Sequence, residues 1–142
     1  MKHLFLDTNV VIDVLANREP FSDAATKLLD YGDKGKLSLY VSALSCSNIY
    51  YILRKEYGHK QIITLLKDIQ AISTTLDVTG NIVKIATDSG LKDFEVAIQL
   101  ATALSNKKIQ AIVTRDPKGS KKQDISVISP EEALSVIETA GN

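Results

Sequence analysis

Hydrophobic and polar positions along the chain fall into blocks that switch between two rhythms. Leu4, Phe5 and Leu6 are apolar without a break, as in a strand covered on both faces. Val10, Val11, Val14 and Leu15 then recur at helical spacing and predict a helix over residues 9–16. Ser22 is expected to cap a helix through Ala24, Ala25, Leu28 and Leu29 that ends near Gly32 and Gly35. "LSLYVS" reads as a strand, and Ser42 or Ser45 can cap a helix carrying Ile49, Tyr50, Ile52 and Leu53. "KQIITLLKDIQ" and "GNIVKIATDSG" read as helices on either side of a strand in "AISTTLDV". Asp93 can cap "FEVAIQLATALSN". "IQAIVT" is a continuous apolar strand, "RDPKGSKKQD" a polar loop, and "ISVIS" a last strand. "SPEEALSVIE" closes the series as a helix with Pro130 in its first turn and acids behind it.

Strands separated by helices need crossovers, so the expected architecture is α/β with a parallel sheet covered on both sides. About four or five strands are expected, within the usual range. No linker or repeat interrupts the pattern, and residues 1–142 are expected to form a single domain. In such folds ligands gather at the carboxyl ends of the strands. Two acids fall there: Asp7 just past the first strand, and Asp116 in "TRD" just past "IQAIV". If these strands are neighbours, the two carboxylates share one edge. Converging carboxylates suit Mg²⁺ or Mn²⁺, which prefer oxygen ligands and can activate water beside a phosphoryl group. Asn9 could orient a water or brace Asp7. The plainer reading of "DTN" is helix capping.

Charge narrows the field. Lys plus Arg and Asp plus Glu both number 17, so bulk electrostatics does not mark a nucleic-acid binder. Attraction for phosphate then needs a local patch or a metal ion. Arg115, Lys118, Lys121 and Lys122 form such a patch beside Asp116, with a solvated loop as the alternative. Arg54, Lys55 and Lys60 form a second basic stretch, and of the adjacent Tyr50 and Tyr51 one is expected to pack and the other to face outward. The single Cys46 excludes an internal disulfide and is expected to pack in apolar surroundings. No signal peptide is visible, and no apolar run approaches the ~20 residues of a membrane span. A cytoplasmic protein without membrane contact is expected.

"FLDTNVVIDVL", "VSALSCSNIYYILRKEYG", "DFEVAIQLATAL" and "AIVTRD" occur in this order. Together they resemble a PIN domain of the bacterial branch, and the likeness runs through "ISPEEAL". The resemblance implies a three-layer α/β/α nuclease with three or four acids around divalent ions. It also implies RNA as substrate, a cognate antitoxin as a possible partner, and a homodimer. Matched residue by residue, the first acid is Asp7 with Asn9 as companion, and the last is Asp116 with Thr114 as the small hydroxyl residue. An acid of the third helix is replaced by Asn48, and the final acid of a "DFED" helix by Val96. Asp93, one turn before Val96, could substitute as a ligand or simply cap the helix. Glu95, about 100° around the helix, should point elsewhere. Two functions are therefore expected: a metal-dependent ribonuclease with an incomplete acidic site, or a degenerate PIN domain that binds RNA or protein without cutting.

Overall fold

A computed structural model describes residues 1–117 and 124–140. Five strands form one sheet in the order β3-β2-β1-β4-β5, every pair parallel. They are β1 (His3–Leu6), β2 (Ser38–Ser42), β3 (Thr74–Leu76), β4 (Ala111–Val113) and β5 (Ser126–Ile128). The helices are α1 (Thr8–Leu15), α2 (Ser22–Asp33), α3 (Ala43–Leu53), α4 (His59–Ile72), α5 (Gly80–Asp88), α6 (Phe94–Leu104) and α7 (Pro130–Ala140). The strand order reverses between β1 and β4, the place where open parallel sheets leave a crevice.

Side-chain alternation along the strands divides the core. Leu4, Leu6, Leu39, Val41, Ala111 and Val113 face one way. They pack with Val10, Val11, Leu28, Ile49, Leu53, Ile62, Ile69 and Ala133 from α1, α2, α3, α4 and α7. Phe5, Tyr40 and Ile112 face the other way and meet Ala103 of α6 and Ile109. A third cluster joins α5 to α6 through Ile82, Ala86, Ala97, Ile98 and Ala101. This gives three layers, with the larger core under five helices and a thinner one under α6. Gly32 has a packing reason: a Cβ there would run into the Leu39 side chain.

The caps were partly legible. Ser42 Oγ accepts from the Ser45 backbone N–H at 3.0 Å and starts α3. Asp93 Oδ1 accepts from the Val96 N–H at 3.1 Å and starts α6. Ser22 is not the cap of α2, since Phe21 holds that position without a side-chain bond. The Ser22 hydroxyl instead donates to Asn17 Oδ1 at 3.2 Å and to Glu19 Oε1 at 3.3 Å, so it ties the preceding turn to the helix. Cys46 packs half-buried against the core, and burial pushes its thiol pKa up, as befits an unreactive packing residue. Tyr50 is partly buried and bonds His59 Nδ1 at 2.8 Å, while Tyr51 is exposed with the Arg54 guanidinium over its ring. Among the described residues no helix is long and apolar enough to cross a membrane.

Candidate functional site

The register of β1 on β4 pairs Leu6 with Val113. The next residue on each strand is therefore Asp7 on one and Thr114 on the other. The Asp7 backbone N–H donates to Val113 O at 2.9 Å, which carries the ladder to the edge. Thr114 Oγ1 donates to Asp7 Oδ2 at 3.1 Å. Asp7 holds the N-cap position of α1, yet its side chain makes no capping bond to that helix. Asp7 thus stands at the cap position of α1 while its carboxylate is held by Thr114.

Asp7, Thr114 and Asp116 line one cleft at the carboxyl edge, with a volume of about 370 Å³. Its floor is apolar, made by Ile112 and Val127. The opposite wall comes from α6 and the turn before it: Leu91, Lys92, Asp93, Val96, Gln99 and Leu100. Asp93 is thus both the cap of α6 and a carboxylate of the cleft. Val96 lies on the wall as well and is 47% exposed, so it faces the cleft and not the core.

Burial raises the Asp7 pKa above the ordinary carboxylate range, and the Asp93 charge adds to the rise. The Thr114 hydroxyl, the Thr8 backbone N–H and the Arg115 charge oppose it without cancelling it. A desolvated acid beside a second acid gains from a cation.

The other expected residues are placed less centrally. Asn9 is exposed and is not on the cleft wall. Asn48 Nδ2 donates to Glu95 Oε1 at 3.3 Å, away from the wall, and Glu95 points elsewhere as its helix position requires. Arg115 turns from the cleft: its guanidinium grips Asp13, with Nε to Oδ2 at 3.0 Å, and lies 4.2 Å over the Phe21 ring. Asp13 is 2% exposed, so this ion pair fastens the segment after β4 to α1. Lys118, Lys121 and Lys122 lie outside the described residues.

Two features escaped the sequence reading. Lys92 is a cation on the cleft wall, next to Asp93 in the chain. Gln99 is 4% exposed and sits in a buried polar knot. Its Nε2 donates to Thr8 Oγ1 at 2.9 Å and to Ser45 Oγ at 2.8 Å, and these hydroxyls bond each other at 2.7 Å. Gln99 Oε1 is buried with no hydrogen-bond partner among the described residues. Such an orphaned acceptor typically costs about 1–3 kcal/mol. The available signal was spacing: Gln99 is three residues after Val96 and shares its side of α6.

Among the described residues, no three carboxylate, histidine or cysteine side chains lie close enough to enclose a metal ion by themselves. The donors that do line the cleft are all hard oxygens: three carboxylates, a hydroxyl and a carboxamide. That set fits Mg²⁺ or Mn²⁺, ions held by one or two carboxylates with water completing the shell.

Comparison with known proteins agrees with this architecture. The family model for the PIN domain matches residues 3–118. No match was found among curated proteins. Among solved structures, the chain is similar to a toxin–antitoxin complex from Klebsiella pneumoniae, with 19% identity and a TM-score of 0.66 over 91% of this chain and 98% of that one. It is similar to VapBC2 from Rickettsia felis, solved bound to a fragment of its promoter DNA, with 13% identity and a TM-score of 0.66 over 87% and 96%. It is also similar to VapC20 of Mycobacterium tuberculosis, a toxin that cleaves the sarcin–ricin loop, with 18% identity and a TM-score of 0.60 over 77% and 86%. With a family match over most of its length and this fold, the chain belongs to the PIN domain family.

Proposed function

We propose that this protein is a divalent-metal-dependent ribonuclease of the toxin type. The observation that carries the reading is that Asp7, Asp93 and Asp116 line one cleft at the strand edge. Asp7 and Asp116 would hold Mg²⁺ or Mn²⁺, with Asp93 completing the acidic side from the α6 wall. When bound, such an ion neutralises charge on a phosphoryl group and lowers the pKa of water.

The chain's own residues have separable parts. The Thr114 hydroxyl fixes the Asp7 rotamer by donating to Oδ2. The Lys92 ammonium, on the rim of the same cleft, can meet a phosphate oxygen. The Arg115–Asp13 pair holds the segment bearing Asp116 against α1, so Arg115 acts on position and not on substrate. We assign no role in the chemistry to Asn9 or Asn48. A cognate antitoxin is the partner that the similar complexes support.

A second reading rests on Val96, an apolar residue where the family pattern expects an acid. In that reading the cleft binds RNA but does not cut it. Incubating a mixed RNA with the protein and Mn²⁺, against EDTA and against Asp116→Asn, separates the two. Cleavage that needs Mn²⁺ and disappears in the variant is the expected result. Retained RNA binding with no cleavage at any Mn²⁺ concentration would leave only the second reading.

A further inference from the structure

Gln99 is a wall residue of the cleft, yet nothing in the acid pattern calls for it. Its carboxamide is planar, and its two ends have opposite surroundings. The Nε2 end is held by Thr8 and Ser45, neither of which lines the cleft. The Ser45 hydroxyl is itself braced by Ser42 Oγ at 3.2 Å, so the knot has little freedom. The Oε1 end has no partner among the described residues, although water is shut out of it. Gln99 and Asp7 line the same cleft, and the amide is anchored on Thr8, the residue that follows Asp7. Turning the amide over would place Oε1 on the two hydroxyls and strand two N–H donors in its place. The arrangement observed gives both N–H donors an acceptor and leaves only the carbonyl oxygen unpaired.

We propose that Gln99 Oε1 is a neutral oxygen ligand for the divalent cation of this cleft, occupying the role left vacant by Val96. The proposal rests on the metal-binding reading above and adds a residue to it. A buried, unpaired acceptor is improved by any cation brought to it, while Mg²⁺ and Mn²⁺ accept a carboxamide oxygen as readily as a backbone carbonyl. Clamping the nitrogen end fixes which atom is presented. The exchange of an anionic oxygen for a neutral one lowers the charge of the site and therefore its affinity, without removing the donor.

The test is Mn²⁺ binding by calorimetry, with the Mn²⁺-induced shift in Tm as a second readout, on the full chain. Gln99→Met keeps the side-chain length and removes both polar ends. It should weaken Mn²⁺ binding about tenfold or more. Ser45→Ala loosens the clamp without touching the cleft and should weaken binding less. In the Gln99→Met background, Ser45→Ala should have no further effect on Mn²⁺, because it acts through the amide. Gln99→Glu retains an oxygen at the same reach and should bind Mn²⁺ at least as well as wild type. It also carries the test if Gln99→Met does not fold.

Asp7→Asn separates the failure of this inference from that of the reading beneath it. If Asp7→Asn loses Mn²⁺ while Gln99→Met binds like wild type, Gln99 is structural and the proposal is overturned. If Gln99→Glu loses Mn²⁺, an oxygen at this reach does not serve the cation and the proposal is likewise overturned. If wild type binds no Mn²⁺, both this proposal and the metal reading fall.

Discussion

The two walls of the cleft are built on different physical terms. The strand wall, carrying Asp7 and Thr114, continues a parallel ladder whose register is fixed by Leu6 on Val113. Its acid is half-buried, held by a hydroxyl and displaced in pKa. The α6 wall begins at a helix start and is open to solvent: Lys92, Asp93 and Val96 are all exposed. Only Gln99, one turn deeper, is locked. Position on the sheet therefore protects one half of the site, while the helix start tolerates change. Val96 falls on the tolerant wall, and a valine there costs the fold little because it is not in the core.

The strand wall should dominate function. Asp7→Asn or Asp116→Asn is expected to lower Mn²⁺-dependent RNA cleavage by about 100-fold or more, the order seen when a preorganised charge partner is lost. The equivalent change at Asp93 should cost less, because its wall is open. Equal losses at Asp93 and Asp7, measured as initial rates, would erase the distinction between the walls.

Next in size is the brace beneath the strand wall. Arg115→Met leaves Asp13 buried without its cation, and removal of one partner of such a pair destabilises by about 3 kcal/mol. Urea unfolding should show that loss, with the effect greatly reduced in an Asp13→Asn background. An unchanged midpoint would mean that the segment before Asp116 is held by something else.

The α6 wall offers a gain where the strand wall offers only losses. Val96→Asp places a carboxylate in the first turn of α6, where the helix dipole favours it by about 0.3–1 kcal/mol. Val96 is on the cleft wall and largely exposed, so little packing is lost. Mn²⁺ affinity should rise by about tenfold, equivalent to ~1.4 kcal/mol. A stable variant with wild-type Mn²⁺ affinity would show that position 96 is not the gap in the site.

The smallest effect is on the metal-free protein. Burial raises the Asp7 pKa, so stability associated with its protonated form is complete at low pH. That stability is lost as pH rises through the folded-state pKa. Asp7→Asn should therefore leave Tm unchanged near about pH 3 and raise it at neutral pH. A Tm difference of the same size at both pH values would show that charge at Asp7 is not its source.

Much of this was legible in the chain, for physical reasons. The unbroken apolar runs at Leu4–Leu6 and in "IQAIV" identified strands covered on both faces, and Asp7 and Asp116 followed from where such strands end. Asp93 as a cap was legible because capping is local. Contacts between distant segments were not. Arg115 reads as a phosphate contact until Asp13 is found beneath it, 102 residues away in sequence. The bond from Asn48 to Glu95 joins residues 47 apart, and nothing local signals it. Gln99 reads as a polar residue on a helix until Thr8 and Ser45 are seen to hold one of its ends.

The central claim is that this cleft holds a divalent cation between Asp7 and Asp116. Crystals soaked in Mn²⁺ and measured at its absorption edge test that claim most directly. An anomalous peak in the cleft within coordination distance of both carboxylates, absent from Asp7→Asn crystals, is the result predicted here. No peak there at saturating Mn²⁺, or a peak that persists unchanged in Asp7→Asn, would contradict it.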